Sequence, residues 1–349
     1  MAGKKFETLD GLRGIAALAV VLYHLSGPLH LAARAGYLAV DLFFLMSGFV
    51  IAAAYERRLL AGWSIGAFLI VRLKRLWPLY AMGVASGVAC FLLIRFLRPE
   101  ASFSFPNMSI AQAALMSLLF VPQLAAYGGP AFPFNSASWS LSVELVGNLG
   151  YAALIHSLRT RMLTIVIAIG FAGLTAIAIK ADGLNVGVSA GNILDGYVRF
   201  LFSFPLGVLL YRLHAAGKLP VFSLPPLLPL ALAAIALIGF VPQTALWDLL
   251  IVTLLFPAIL IGSISTAVPH RMVKIFAWAG AVSYPLYILH PPLVELVSVL
   301  VQGRAYLVAS FGCVFAIVLF AMMAERYFDR PLRRWLKRAT IGPIERVAN

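Results

Sequence analysis

Residues 10–24 read DGLRGIAALAVVLYH, and this stretch decides how the rest of the chain is interpreted. The apolar run 15–22 is preceded by Asp10 and Arg13 and followed closely by His24. Positions 13, 17, 20 and 24 fall on one face of a helix, so that His24 would lie about 16 Å along the axis from Arg13. Ionisable groups inside a membrane span are costly and usually functional. We therefore interpret this helix as a membrane span that carries site residues, although His24 could instead simply bond a neighbouring helix.

The composition predicts an all-α integral membrane protein. Of the 349 residues, 62% are hydrophobic and 11% are charged, and the mean hydropathy is +0.95. A soluble protein of this size could not cover so much apolar surface. The net charge of +14 comes from basic residues near span ends, so we expect membrane lipids and no nucleic acid as a partner.

Hydropathy predicts about ten transmembrane helices and a single membrane domain over residues 1–340, followed by a short cytoplasmic tail at 341–349. The predicted spans are 11–29, 37–54, 76–95, 138–157, 162–180, 193–211, 221–241, 244–265, 275–300 and 305–326. With the N-terminus in the cytosol, this arrangement places 21 basic residues inside and 5 outside. Because positive loops stay in the cytosol, we expect both termini to be cytoplasmic.

Two further apolar segments are not counted as spans. Segment 109–125 would reverse the charge asymmetry if it crossed the membrane, so we predict a short interfacial or re-entrant helix on the outer side. Segment 57–75 is apolar with a basic end, and we predict an amphipathic helix on the inner surface that leads into the third span.

Four ionisable residues from four predicted spans fall at a similar depth, in the outer half of the membrane. They are His24, Asp41, Glu144 and His290. A histidine beside a carboxylate forms a general base, because the carboxylate orients the ring and stabilises the imidazolium. Depth alone does not decide whether Asp41 or Glu144 would orient His24. The cations Arg72, Lys74 and Arg75 lie near the inner surface, where they could bind the phosphates of a cytosolic donor.

The order of the motifs resembles the membrane acyltransferase 3 family. The chain contains Asp10-Gly-Leu-Arg13-Gly with His24, VDLFFLMSGFVI from residue 40, Arg72-Leu-Lys-Arg75, SWSLSVE from residue 138 and SYPLYILHPP from residue 283. The resemblance implies ten core spans and an acetyl-CoA-dependent transferase that acts on sugar hydroxyls of surface glycans. It also implies a multi-pass protein of the bacterial inner membrane, with acyl-CoA and a carbohydrate or lipid-linked glycan as substrates, no tightly bound cofactor and no metal.

The resemblance also assigns roles to single residues. His24 corresponds to the family's catalytic histidine, and we add Asp41 and Glu144 as candidate catalytic carboxylates. Donor binding is expected at Arg13, Arg72 and Arg75, and substrate binding at Asp10, Trp139, Ser140 and His290. Some family members carry an additional SGNH hydrolase-like domain, which we do not expect in this sequence.

Two alternatives remain open at the level of the sequence. The family also acylates small-molecule hydroxyls, such as that of a macrolide sugar. A protein of another class, a proton-coupled transporter, would use the buried His, Asp and Glu as a proton relay. Transporters commonly contain inverted repeats, and we find none in this sequence.

Overall fold

The computed structural model describes residues 6–101, 108–124, 129–220, 224–240, 242–301, 303 and 305–340. The predicted tail at 341–349 lies outside these described residues. In the described part, the chain is helical, and the β-structure there is an isolated bridge between Pro130 and Ser189. This confirms the all-α fold class.

The described residues contain fourteen α-helices. In order they are α1 (Glu7–His24), α2 (Pro28–Leu31), α3 (Ala39–Leu60), α4 (Ile65–Leu97), α5 (Ile110–Leu118), α6 (Ser138–Leu154), α7 (Thr160–Ala181), α8 (Ile193–Ala215), α9 (Leu227–Ile238), α10 (Ala245–Leu250), α11 (Phe256–Ser265), α12 (His270–Leu300), α13 (Ala305–Met323) and α14 (Arg330–Thr340). Single π-helical segments, Ile251–Leu255 and Ala324–Asp329, join α10 to α11 and α13 to α14.

Within the described residues, seven helical segments are long and apolar enough to cross a membrane. They are Gly36–Leu60, Ile65–Leu97, Thr160–Ala181, Ile193–Ala215, Ala245–Ser265, His270–Leu300 and Ala305–Leu336. The other three predicted spans correspond to α1, α6 and α9, which have 18, 17 and 12 residues. The protein is therefore a multi-pass membrane protein, and the count of ten stays a prediction.

Helix α1 lies inside the bundle and runs parallel to α12. At one end Gly14 meets Ala279, where a Cβ on the glycine would come within 2.7 Å of the alanine side chain. At the other end His24 meets His290. Because the two backbones pack so closely, the polar residues of α1 are held in register with those of α12.

Helices α3 and α8 form a second close pair. A Cβ added at Gly48 would lie 2.0 Å from the Phe204 carbonyl oxygen, and one at Gly207 would lie 2.1 Å from that of Leu45. Small residues allow such contact between membrane helices. This pair forms the wall against which α6 and the loop 182–192 pack.

The structure differs from the predicted boundaries at two places. Helix α1 ends at His24 rather than at residue 29, because Gly27 adopts a positive φ of 70° and Pro28 starts the short helix α2. His24 is consequently at the end of its helix rather than within it.

The predicted separate surface helix over 57–75 is also wrong. Residues 57–60 belong to α3, and after a turn Ser64 caps α4, which continues without interruption past Pro78 to Leu97. The first part of α4 is drawn into the protein because Phe68 and Arg72 are buried. In its described residues 109–124, the predicted outer segment contains the nine-residue helix α5, whose length of about 14 Å is too short to cross a membrane.

Candidate active site

A cavity enclosing about 1000 Å³, including its open mouth, lies between α1, α3, α4, α6 and α12. Its walls are largely apolar. The ionisable and hydroxyl-bearing lining residues are Arg13, Ser47, Tyr55, Arg72, Arg75, Ser140, Glu144, Ser283, Tyr284 and Tyr287. Three guanidinium groups therefore share this cavity with one carboxylate, which makes it suited to an anionic ligand.

Glu144 is held in place by two donors from different helices. Ser47 Oγ donates to Glu144 Oε1 at 2.7 Å, and Arg72 Nη2 donates to the same oxygen at 2.9 Å. Arg72 is only 5% exposed, and its Nε atom has no hydrogen-bond partner among the described residues. Arg72 therefore lines the cavity as a buried guanidinium whose hydrogen bonding is incomplete among the described residues.

His24 and His290 form a second polar group beyond one end of this cavity. The Nδ1 atom of His24 lies 2.8 Å from the Val20 carbonyl oxygen and 3.4 Å from His290 Nε2. The Nδ1 atom of His290 lies 3.2 Å from the Leu286 carbonyl oxygen. Since carbonyl oxygens only accept, we assign a proton to Nδ1 of both rings, which leaves His290 Nε2 as an acceptor facing His24.

The two histidines differ in their surroundings. His290 is fully buried, whereas the side chain of His24 reaches the protein surface at the end of α1. The Nε2 atom of His24 makes no hydrogen bond to any residue that the structure describes. This nitrogen therefore has a free lone pair, on a side chain that reaches the protein surface.

One face of α12 connects the cavity to the histidine pair. Tyr284 and Tyr287 line the cavity, and the ring of Tyr287 lies 6.1 Å from that of His290. The spacing of three residues places successive side chains on the same face, about 4.5 Å apart along the axis. Tyr284 donates its hydroxyl to the Leu76 carbonyl oxygen at 2.6 Å, and Tyr287 shares a 2.6 Å hydrogen bond with Ser140.

Asp41 belongs to a different buried cluster. Arg199 donates to both of its carboxylate oxygens, at 3.3 Å from Nε and 2.6 Å from Nη2, and also to the carbonyl oxygens of Tyr37 and Val186. The guanidinium lies 5.5 Å from the ring centroid of Trp139. This geometry satisfies the carboxylate of Asp41 and ties α3, α8 and the loop 182–192 together.

The structure brings most of the predicted site residues together but separates others. Arg13, Arg72, Arg75, Ser140 and Glu144 share the cavity. His24 and His290 contact each other, and no hydrogen bond or ion pair within the described residues joins His24 to either predicted carboxylate partner.

The remaining two predicted residues, Asp10 and Trp139, do not line the cavity. Asp10 lies against Gly280, where an added Cβ would come within 2.6 Å of its side chain. Trp139 is 4% exposed and packs against Gly187 and Gly196. Its ring is therefore part of the protein interior, which leaves no open face on which a sugar could stack.

The sequence interpretation did not single out Ser47, Tyr284 or Tyr287. The spacing of Tyr284, Tyr287 and His290 in SYPLYILH does indicate one helix face, so this signal was present in the sequence. The contact of Ser47 with Glu144 had no comparable signal, because the two residues are 97 positions apart.

Comparison with known families shows the family of this chain. A family model described as an acyltransferase domain, that of acyltransferase 3, matches residues 6–326. The chain therefore belongs to the acyltransferase 3 family, as its motifs predicted.

Several curated proteins are similar to this chain. Protein 2 in the picA locus of Rhizobium radiobacter is 38% identical over 157 residues, which cover 43% of this chain and 82% of that protein. The exopolysaccharide production protein ExoZ of Rhizobium meliloti is 25% identical over 90% of this chain and 95% of its own length. The peptidoglycan O-acetyltransferase OatA of Listeria monocytogenes is 26% identical over 95% of this chain, but the match covers only 56% of OatA. No solved structure gives a significant match.

Proposed function

We propose that this protein transfers an acetyl group from acetyl-CoA to a sugar hydroxyl of a surface glycan, with His24 as the general base. The observation that carries the proposal is the alignment of two groups along α12. The arginine-lined cavity lies beside Tyr284 and Tyr287 of α12. His24, whose Nε2 atom is free, lies one helical turn further along, where it contacts His290. Family membership supports the acyl transfer, and the geometry supports the division of roles between the two groups.

The arginine-lined cavity is the proposed donor site. Arg13, Arg72 and Arg75 would bind the phosphates of CoA, because guanidinium groups bind phosphate oxygens in pairs. Glu144 neutralises only one of these charges and holds Arg72 in position through the 2.9 Å contact. The pantetheine arm would then extend along the α12 face toward Tyr287, which brings the thioester close to the histidine pair.

His24 is the proposed base of the transfer. Its Nε2 atom takes the proton from the acceptor hydroxyl as that oxygen attacks the thioester carbonyl carbon. The carbon–sulfur bond then breaks, and the departing CoA sulfur receives the proton from His24. The Nδ1–H of His24 is shared between the Val20 carbonyl oxygen and His290 Nε2, and these two acceptors would orient the ring and stabilise the imidazolium, as a carboxylate does in other sites.

The nature of the acceptor is inferred from the relatives. ExoZ is named for exopolysaccharide production and OatA for peptidoglycan O-acetylation, and both matches cover at least 90% of this chain. We extend this chemistry to the present protein and propose a polysaccharide or lipid-linked glycan as the acceptor. The exposed position of His24 at the end of α1 supports an acceptor that arrives at the protein surface.

The proposed orientation places both termini in the cytosol of a bacterium and the protein in its cytoplasmic membrane. The mouth of the donor cavity would then face the cytosolic supply of acetyl-CoA. The end of α1 that carries His24 would face the opposite side, where surface glycans are assembled. The acetyl group would thus cross most of the membrane thickness inside the protein.

The deciding experiment uses the purified full-length chain in lipid nanodiscs with radiolabelled acetyl-CoA. A panel of neutral and lipid-linked glycans is offered together with a macrolide bearing a free sugar hydroxyl, and a His24→Ala variant serves as the control. Label transfer to a glycan in a His24-dependent manner is the expected result. Transfer only to the macrolide would establish the small-molecule alternative, and absence of transfer to every hydroxyl would overturn the proposed enzyme activity.

A further inference from the structure

Tyr287 lines the arginine-lined cavity, and its hydroxyl is not used by the mechanism described above. Tyr287 is buried, lines the cavity and has its Oη atom 2.6 Å from Ser140 Oγ. Ser140 Oγ is also within 3.1 Å of the Ala137 carbonyl oxygen. Ser140 can therefore donate its proton either to this carbonyl or to Tyr287.

Tyr287 is the last cavity residue before the histidine pair on this face of α12. It precedes His290 by one turn, with the two ring centroids 6.1 Å apart. On its other side, the ring of Phe43 packs edge-on against it at 5.6 Å. A thioester whose phosphates are bound at the arginines and whose carbonyl carbon is attacked near His24 must pass close to this hydroxyl.

The hydrogen-bonding state of Tyr287 distinguishes it from its neighbours in the cavity. The hydroxyl of Tyr284 donates its proton to the Leu76 carbonyl oxygen, because that oxygen can only accept. The hydroxyl of Tyr287 faces another hydroxyl, so either oxygen of that pair can be the donor. When Ser140 donates, the proton of Tyr287 is free to point into the cavity.

We propose that Tyr287 donates a hydrogen bond to the carbonyl oxygen of the bound thioester, and that Ser140 is the positioning residue that orients this hydroxyl. This inference rests on the proposed acyl transfer. Attack by the acceptor oxygen moves the π-electron pair of the carbonyl onto its oxygen, and a preorganised donor stabilises that negative charge. Tyr287 keeps its proton throughout. Collapse of the intermediate restores the carbonyl, breaks the carbon–sulfur bond and delivers the proton of His24 to the CoA sulfur.

The first test measures the bound donor without turnover. Acetyl-CoA labelled with ¹³C at the thioester carbonyl is added to the full-length protein in nanodiscs without an acceptor. Isotope-edited infrared spectra should show the carbonyl stretch at a lower frequency in the wild type than in Tyr287→Phe. Tyr80→Phe is the matched control, since Tyr80 is a buried tyrosine outside the cavity whose hydroxyl bonds the Ser117 carbonyl oxygen. This control should retain the wild-type frequency.

The second test measures turnover. Removal of one oxyanion donor typically lowers kcat about 10²- to 10³-fold, and we expect a loss of this size in Tyr287→Phe with a far smaller rise in the Kd for acetyl-CoA, because the hydrogen bond is stronger to the oxyanion than to the bound carbonyl. Ser140→Ala should lower kcat less, and it should add little when combined with Tyr287→Phe, because Ser140 acts only through that hydroxyl.

The outcomes separate this inference from the proposed function. If acetyl-CoA binds and is turned over, but the carbonyl frequency and kcat of Tyr287→Phe equal those of the wild type, the role of Tyr287 is overturned and the proposed function stands. An equal loss of kcat and of acetyl-CoA affinity would also overturn it, in favour of a packing role. If acetyl-CoA does not bind the wild type at all, the donor site and the role of Tyr287 are both overturned.

Discussion

The Nδ1 atom of His24 lies 3.4 Å from the Nε2 atom of His290, although the two residues are 266 positions apart in the chain. The side-chain partner of His24 is thus a second, fully buried imidazole rather than a carboxylate. A neutral imidazole can accept from Nδ1–H without placing a full negative charge in the membrane, where an unpaired charge is costly.

Replacing His24 should abolish most of the activity without unfolding the protein. We expect His24→Ala and His24→Gln to lower acetyl transfer by about two to four orders of magnitude, which is the usual contribution of a general base. Radiolabel transfer measures the effect. The control is His30→Gln, a nearby histidine that bonds the Tyr23 carbonyl oxygen. Substantial transfer by a folded His24→Ala protein would exclude His24 as the base.

Replacing His290 should lower kcat more than it changes KM. We expect His290→Ala to reduce kcat about 10- to 100-fold, because His24 loses an acceptor that orients its ring. His290→Gln should recover part of the loss, since its side-chain oxygen can also accept a hydrogen bond. Steady-state kinetics with saturating acetyl-CoA measure both values. Equal activity of the Ala and Gln variants would argue for a packing role instead.

Conservative changes of the cavity arginines should weaken donor binding. The double variant Arg72→Lys with Arg75→Lys should raise the Kd for CoA about tenfold or more, because lysine cannot bind phosphate oxygens in pairs. Titration calorimetry measures the binding. Arg212→Lys is the control, since Arg212 pairs with Glu56 outside the cavity. Unchanged CoA affinity in the double variant would show that these arginines do not bind the donor and serve only in packing or in fixing the membrane orientation.

The Asp41–Arg199 pair should contribute to stability. Breaking a buried ion pair leaves an uncompensated charge, so Asp41→Ala should lower the free energy of unfolding by about 3–5 kcal/mol. The double variant Asp41→Leu with Arg199→Met should be less destabilised, because it removes both charges. Thermal unfolding in detergent measures both variants. A stable but inactive Asp41→Asn protein would instead restore Asp41 as a catalytic residue, as the sequence suggested.

The orientation can be tested with reporter fusions. Because positive segments stay in the cytosol, alkaline phosphatase fused after residue 349 should be inactive. The same reporter fused after Glu100, which follows α4, should be active. Green fluorescent protein fusions at both points should give the reverse pattern. Reporter signals that place both fusion points on the same side of the membrane would contradict the predicted topology.

The sequence was sufficient to predict the all-helical membrane fold and the family, and it singled out several residues that line the cavity without predicting that they meet there. Arg72 and Arg75 were recognisable from their spacing, and His24 from its position in an apolar helix. Helix ends were less predictable. The boundary of α1 depended on the backbone conformation at Gly27, and the continuity of α4 depended on the burial of Arg72.

The pairing of the polar residues was decided only by the tertiary structure. The sequence left open whether Asp41 or Glu144 would face His24, and in the structure Asp41 pairs with Arg199 and Glu144 with Arg72. These partners are 158 and 72 positions apart. Hydrophobic periodicity determines which face of a helix a residue occupies and roughly how deep it lies, because both follow from the local helical repeat. The rotation of each helix against its neighbours depends instead on close packing between segments that are distant in the chain, as at Gly48 and Gly207. This packing determines which arginine pairs with which carboxylate.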